Sequence, residues 1–269
     1  MIHLRHFFNT FRIEVKRLFA YRAQFWFEVV LSSFVELGIA LVLWSAVFSA
    51  NGSGEIRGYT FQEMVYYVVL ATFLGQAVKG TGIGTLGREV YDGSFTRYLV
   101  YPLSVYSYKF GIFFARSAVA CFQLLLVLLG GLLLGYFSFS DLSLISVALA
   151  FVTVVLASFL YFLLIMTAES VSFWADQAWA VSAMLQFSLI FLSGKLIPVD
   201  LFPGWLQTSL AFSPFPLIVF FPVQTFLGMV SFQEWLWHFT LLCFWVAFMF
   251  LLCRVVIGQG LKNYTGVGI

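Results

Sequence analysis

Charge is the scarcest ingredient of this chain: Asp, Glu, Lys and Arg supply 10% of its 269 residues, against about 25% in ordinary soluble domains. Polar side chains this sparse cannot cover a water-facing globule. With 62% hydrophobic residues, the apolar runs instead reach repeatedly the ~20 residues that a bilayer-spanning helix needs. Cysteine is also rare. Cys121, Cys243 and Cys253 fall inside apolar runs, are odd in number and lack ligand spacing, which argues against a disulfide framework or a zinc site. Histidine is confined to His3, His6 and His238, and no H-E-x-x-H or G-x-S-x-G motif supplies a catalytic constellation. A phosphate-cradling G-x-x-x-x-G-K-[ST] loop is missing too, because Ser193-Gly194-Lys195-Leu196 lacks the upstream glycine and the hydroxyl. No metal, no bound cofactor, no nucleic-acid partner and no enzymatic activity are therefore expected of this chain itself.

What is present is helix in lipid. Arg5, Arg12, Lys16, Arg17 and Arg22 are scattered through residues 1–22, so no cleavable leader is expected. Leu4, Phe7, Phe8, Phe11, Val15, Leu18 and Phe19 recur at helical spacing opposite that basic face, as in a helix lying in the headgroup region of an anionic leaflet. Apolar runs then predict six spans, over 24–48, 62–79, 110–136, 144–167, 179–194 and 235–257. Five of the six prolines (Pro198, Pro203, Pro214, Pro216 and Pro222) crowd into 195–232, which stays rich in Phe, Leu and Val. Proline forbids a straight span there, so short re-entrant helices dipping into the outer leaflet are expected, at depths where irregular backbone must pack against protein. The fold class is thus an all-α integral membrane protein in a single domain over 1–269.

Orientation follows from the basic residues. With both termini cytoplasmic, all fourteen Lys and Arg except Arg57 and Lys195 fall on or next to the inner side. Trp26, Trp44, Trp174, Trp179, Trp205, Trp235 and Trp237 lie near proposed span ends, where interfacial indoles belong.

Glu36, in the middle of the first span, has two readings: a coupling-ion or substrate contact, or a carboxyl engaged in the helix bundle. Gln76, Gln123 and Gln186 are pathway ligands or interhelical hydrogen bonds, and Arg116 is expected to snorkel to the inner headgroups. The cytoplasmic connection 80–109 is more informative. Its stretch from Gly87 to Ser104 alternates charge with aliphatic and aromatic residues and ends near Pro102, which predicts a short amphipathic helix. Phe95, Tyr98, Leu99 and Val100 then need a partner or the inner leaflet to cover them.

The pattern R-E-x-x-x-G-x-F-x-x-x-L-x-x-P-L-S over Arg88 to Ser104 resembles the first coupling element of permeases in the ABC-2 family of ATP-binding-cassette exporters. The N-terminal helix is similar to that family's elbow helix. Leu192 to Leu206, with Ser213-Pro-Phe-Pro216, resembles its outward end of the fifth span, and Lys262-Asn-Tyr-Thr-Gly-Val-Gly268 is like the close of a branch with two non-identical permeases. The resemblance implies a half-transporter of six spans, paired with a second permease, identical or related, above two ATPase subunits that hold ATP and Mg. It further implies that Arg88, Glu89, Asp92, Gly93, Arg97 and Pro102 belong to the coupling element, that Phe95, Tyr98 and Leu99 anchor in the ATPase, and that Glu169 and Asp176 form a second cytoplasmic contact. The charge-poor spans suit an amphipathic or lipid-like cargo. An ion-coupled secondary transporter, which would need paired intramembrane charges or discontinuous helices, and a polytopic membrane enzyme remain the alternatives.

Overall fold

In the computed structural model, residues 2–20, 22–52, 54–80, 86–100, 105–133, 143–175 and 178–264 are described. They form helices α1 (Ile2–Ala20), α2 (Arg22–Asn51), α3 (Phe61–Lys79), α4 (Leu86–Tyr91), α5 (Arg97–Val100), α6 (Val105–Leu133), α7 (Leu144–Glu169), α8 (Ala178–Leu192), α9 (Gly204–Leu210), α10 (Phe220–Phe226) and α11 (Phe232–Asn263). A two-stranded hairpin, β1 (Glu55–Ile56) and β2 (Tyr59–Thr60), joins α2 to α3.

Among the described residues, four stretches are long and apolar enough to cross a membrane: 31–51, 105–130, 144–173 and 232–263. The expectation of six is met at that strictness by four. α8 is shorter, with 15 residues. α3 has 19, about 28 Å at 1.5 Å per residue, but carries Gln62, Glu63, Gln76 and Lys79. Its environment explains why it tolerates them. α3 packs against α2, α6, α7 and α10, and Met64, Tyr67, Leu70, Ala71, Leu74, Ala77 and Val78 are almost wholly enclosed. Protein surrounds most of this helix, so its hydrophobicity is not set by lipid. Small residues bring neighbours close: Ala77, Ala115 and Ala157 are fully buried, and Ser117 Oγ donates across to the Ala77 carbonyl at 2.5 Å.

Both α3 and α11 start at capping boxes. Thr60 accepts from the Glu63 amide while Glu63 accepts from the Thr60 amide, and Ser231 and Glu234 repeat the arrangement, each satisfying donors that a helix start leaves open. The proline-rich stretch forms a 3-10 turn (Val199–Leu201), α9 and α10, with residues 221–226 all buried. The Phe212 carbonyl accepts from the Trp245 indole at 2.9 Å, about 20 Å along α11 from its start at 1.5 Å per residue. Trp44 and Trp235 are buried within the protein, and the Trp235 indole donates to Thr153.

The N-terminal helix differs from expectation in where its apolar stripe goes. Phe7 stacks on Phe110, Phe11 meets Phe114, and Val15, Leu18 and Phe19 face Ala118, Val119 and Phe122. α1 therefore runs alongside α6 in the same direction, while Phe8, Ile13 and Phe19 stay exposed. Arg116 is engaged within the protein: its Nε bonds Glu14 at 2.9 Å, and Glu14 also holds Arg17 at 2.8 Å.

The expected single amphipathic helix in 80–109 is broken. Gly93 adopts φ 74, a left-handed conformation that glycine takes without strain, and divides the segment into α4, a 3-10 turn (Ser94–Thr96) and α5.

Candidate functional site

At the end of the bundle opposite the hairpin, α4, the 3-10 turn and α5 form a compact element between α3 and α6. Phe95 is its anchor. It is fully buried, and its ring meets Tyr98, Phe173 and Tyr264 at 5.2–5.3 Å between centroids. Phe173 belongs to a 3-10 turn (Ser170–Phe173) that ends α7, and Tyr264 follows α11. The Tyr264 hydroxyl donates to the Gly93 carbonyl at 3.0 Å and lies 3.0 Å from Thr96 Oγ1. The element is thus clamped by the ends of two long helices.

Glu89 is the polar centre of the same element. It pairs with Arg97 and, at 2.8 Å, with Lys109 on α6, and receives the Tyr98 hydroxyl at 3.2 Å. Burial, and after it the neighbouring Glu89 charge, pushes the Tyr98 hydroxyl above its ordinary pKa. Asp92 Oδ1 accepts from the Ser94 amide at 3.0 Å, and hydrogen bonding with Ser94 holds the Asp92 carboxyl below its usual value. This turn stabilises the break at Gly93.

These contacts correct two expectations. Phe95 and Tyr98 need no partner for cover, because this chain buries both, at 0% and 6% exposure. Glu169 is not presented outward either; it is buried and accepts the Leu86 amide at 2.9 Å, fastening α4 to the end of α7. What the element does present is Arg88, Tyr91, Asp92, Arg97, Leu99 and Val100, all exposed. Pro102 and Asp176 lie outside the described residues.

A second polar group sits inside the bundle. Glu36 on α2 pairs with Lys195 at 2.5 Å, so its carboxyl is engaged across helices. Lys195 follows α8, yet its side chain turns inward along α3, with its aliphatic carbons against Gly75. The Glu36 carboxylate holds the Lys195 ammonium against α3. Gly194, at φ +82, permits this sharp turn, with Phe220 Cβ only 2.8 Å from where a side chain would start. The Tyr67 hydroxyl donates to the Gly194 carbonyl at 2.6 Å and holds it. Lys195, Lys79, Gln186, Ser193 and Tyr161 line one cavity of about 40 Å³. Gln186 is thus brought to the cluster, whereas Gln123 is buried on α6 with its amide nitrogen unbonded among the described residues. Gln76 is half-buried on α3.

At the hairpin end, Arg57 donates to the carbonyls of Asp200 and Phe202 at 3.0 and 3.1 Å. The Tyr59 hydroxyl donates to Asp200 Oδ2 at 2.8 Å, and Gln224 Nε2 donates to Tyr59 at 2.7 Å. Burial raises the pKa of both Tyr59 and Asp200. A cavity of about 290 Å³ opens beside this network, lined in part by Asp200, Gln207, Gln224, Glu234 and His238.

Sequence reasoning missed Phe173, Lys79 and the Tyr59–Asp200–Gln224 network. Nothing in their spacing marks them; only Tyr264 lies in a tail whose pattern was already notable. No group of His, Cys, Asp and Glu that could hold a metal ion occurs among the described residues.

The buried polar helix, the clamped element and the enclosed proline-rich stretch describe a multi-pass membrane protein with a connection built to be held from within. Neither a curated protein nor a solved structure matches the chain. The family described as ABC-2 family transporter protein matches it over residues 34–268, and by that match across most of its length the chain belongs to the ABC-2 transporter family.

Proposed function

We propose that this chain is the permease subunit of an ATP-binding-cassette exporter. It moves an amphipathic or lipid-like cargo with energy from ATP that a separate ATPase subunit binds, with Mg, and hydrolyses. In this reading α3 and α8 complete six spans, both termini are cytoplasmic, α1 is the elbow helix, and 195–232 is re-entrant at the outer side. A second permease, the same chain or a related one, completes the pathway, and lipid covers the remaining apolar faces.

The observation that carries the reading is the element of residues 86–100. Its inner side is fastened to the ends of α7 and α11 through Glu169, Phe173 and Tyr264, and its outer side shows Arg88, Asp92, Leu99 and Val100. A motor pressing on that outer side would move two long helices together, which is how a rigid-body switch carries work. Phe95 and Tyr98 hold the element in shape, and Glu89 and Arg97 brace it. Asp176 and Pro102 extend the same surface in this proposal.

The test is coexpression with a candidate ABC ATPase subunit. The wild-type chain copurifies with the ATPase, and Arg88→Glu with Leu99→Asp abolishes copurification while membrane insertion is retained. Unchanged capture would sink the coupling role. A cysteine at Ser94 reacts with an impermeant thiol reagent only from the cytoplasmic side.

A second reading, ion-coupled transport, is favoured by one observation: Glu36 and Lys195 form the kind of intramembrane charge pair it requires. Cargo movement in vesicles driven by an ion gradient without ATP would establish it.

A further inference from the structure

The cavity at the hairpin end holds acceptors without donors. Its walls come from residues 199–238, with Val199, Leu210, Leu217, Phe220 and Phe221 on its apolar side and Asp200, Gln207, Ser213, Gln224, Glu234 and His238 on its polar one. Among the described residues no lysine or arginine lines it. Asp200 and Glu234 form no salt bridge there, whereas Glu14, Glu36 and Glu89 each hold a cation. Arg57, at the same end, donates to the Asp200 and Phe202 carbonyls rather than to a carboxylate.

Each side-chain donor on that lining is spent. Gln207 Nε2 donates to the Asp200 and Phe202 carbonyls at 2.7 and 2.8 Å, and Gln224 Nε2 donates to Tyr59 and to Asp200 Oδ2 at 2.7 and 3.2 Å. These bonds use both hydrogens of each amide. The Ser213 hydroxyl donates to the Leu210 carbonyl. His238 Nδ1 lies 2.9 Å from the Glu234 carbonyl; that oxygen only accepts, so Nδ1 carries the hydrogen and, in the neutral ring, Nε2 keeps a lone pair. Oxygens are what remain open. Asp200 Oδ1, Glu234 Oε1 and the side-chain carbonyls of Gln207 and Gln224 receive no hydrogen bond among the described residues. Gln224 carries the most weight: it is 7% exposed, and an acceptor enclosed so far from water depends on a partner.

The complement of this lining is positive and rich in N–H. A primary ammonium has three donors and no acceptor, and aromatic surface such as that of Phe220 and Phe221 attracts cations further. A metal ion is a poor match, since no group of His, Cys, Asp and Glu among the described residues could hold one. The volume of about 290 Å³ lies at the lower end of small-molecule sites, enough for an ammonium with a short apolar body. We infer that this cavity binds a small primary amine in its protonated form, with the ammonium facing Asp200 and Gln224 and the body against Leu217 and Phe220. Glu234 and Asp200 are exposed and mark the mouth. Calling that ligand cargo rests on the permease reading; the binding site itself does not.

The purified full-length chain in phosphatidylcholine nanodiscs is titrated with phenethylamine at neutral pH by calorimetry, with empty nanodiscs as the baseline for partition into lipid. Phenethylamine binds saturably, and about tenfold more tightly than either phenethyl alcohol, which lacks the charge, or phenethyltrimethylammonium, which lacks the N–H donors. Asp200→Asn weakens it about tenfold and Glu234→Gln about threefold. Glutamine serves in a capping box as glutamate does, so Glu234→Gln reports on the site even if Asp200→Asn disturbs the Tyr59 network. Equal affinity for the amine and either analogue, or carboxylate variants that both bind the amine as the wild type does, overturns the inference. No ATPase takes part in the titration, so a negative result here leaves the permease reading standing, and failed ATPase capture leaves the site standing.

Discussion

The Tyr264 hydroxyl bonds the Gly93 carbonyl at 3.0 Å across 171 residues of sequence, and its ring packs edge-on against Phe95. The residue that follows the last helix thereby holds the break at Gly93 closed.

Tyr264→Phe removes only the hydrogen bond and is expected to loosen residues 86–100 by about 1 kcal/mol. Tyr264→Ala also removes the ring and should cost about 3 kcal/mol. Hydrogen exchange measures both: amides of α4 and α5 exchange faster in the order wild type, Phe, Ala, and equal rates in all three would remove the clamp.

Glu89→Gln weakens three contacts at once, since Arg97, Lys109 and Tyr98 all turn toward that carboxylate. Losing charge-assisted bonds at a mostly enclosed site is expected to cost about 2 kcal/mol. ATP hydrolysis by the assembled complex should fall while the chain still inserts. Undiminished coupling in this variant would show that the element works without its central brace.

Glu14→Ala leaves Arg116, half-buried on α6, without the carboxylate it now pairs with. The expected penalty is about 2–3 kcal/mol, under the 3–5 typical of a fully enclosed pair. Adding Arg116→Met should recover much of it, because the charge left behind is removed too. Thermal unfolding in detergent, followed by tryptophan emission, distinguishes the single from the double variant.

The hairpin end should respond to pH. Burial raises the Asp200 carboxyl above its ordinary value, so between the ordinary and raised values the folded chain binds more protons than the unfolded one. Stability from this group is full below that window and declines as pH climbs through it. Asp200→Asn still accepts from Tyr59 but cannot ionise. Its melting temperature is expected to vary less over mildly acidic pH and to exceed the wild type at neutral pH; identical profiles would refute the assignment.

Helix positions were largely legible in the sequence because long apolar runs mark them without reference to neighbours. The ends were less so. α11 continues to Asn263 and α6 begins at Val105, since a helix outlasts the hydrocarbon pattern wherever its polar extension packs on protein. Thr60-Phe-Gln-Glu63 and Ser231-Phe-Gln-Glu234 spell capping boxes, a readable signal for two of those starts. Long-range pairs were the illegible part. Glu14 with Arg116, Glu36 with Lys195 and Tyr59 with Asp200 depend on which helices become neighbours, and residue spacing along one helix carries no record of that. Phe95 was misjudged for the same reason: an aromatic in a charged loop looks uncovered until Phe173 and Tyr264 arrive from elsewhere.

The direction in which α1 lies along α6 bears on how the chain is made. Glu14 must find a partner 102 residues further on, which at a synthesis rate of about 5–20 residues per second has not emerged for roughly 5–20 s. During that interval the aromatic stripe of the first helix has no protein to rest on, and the membrane surface beside the translocation machinery is the place where it can wait.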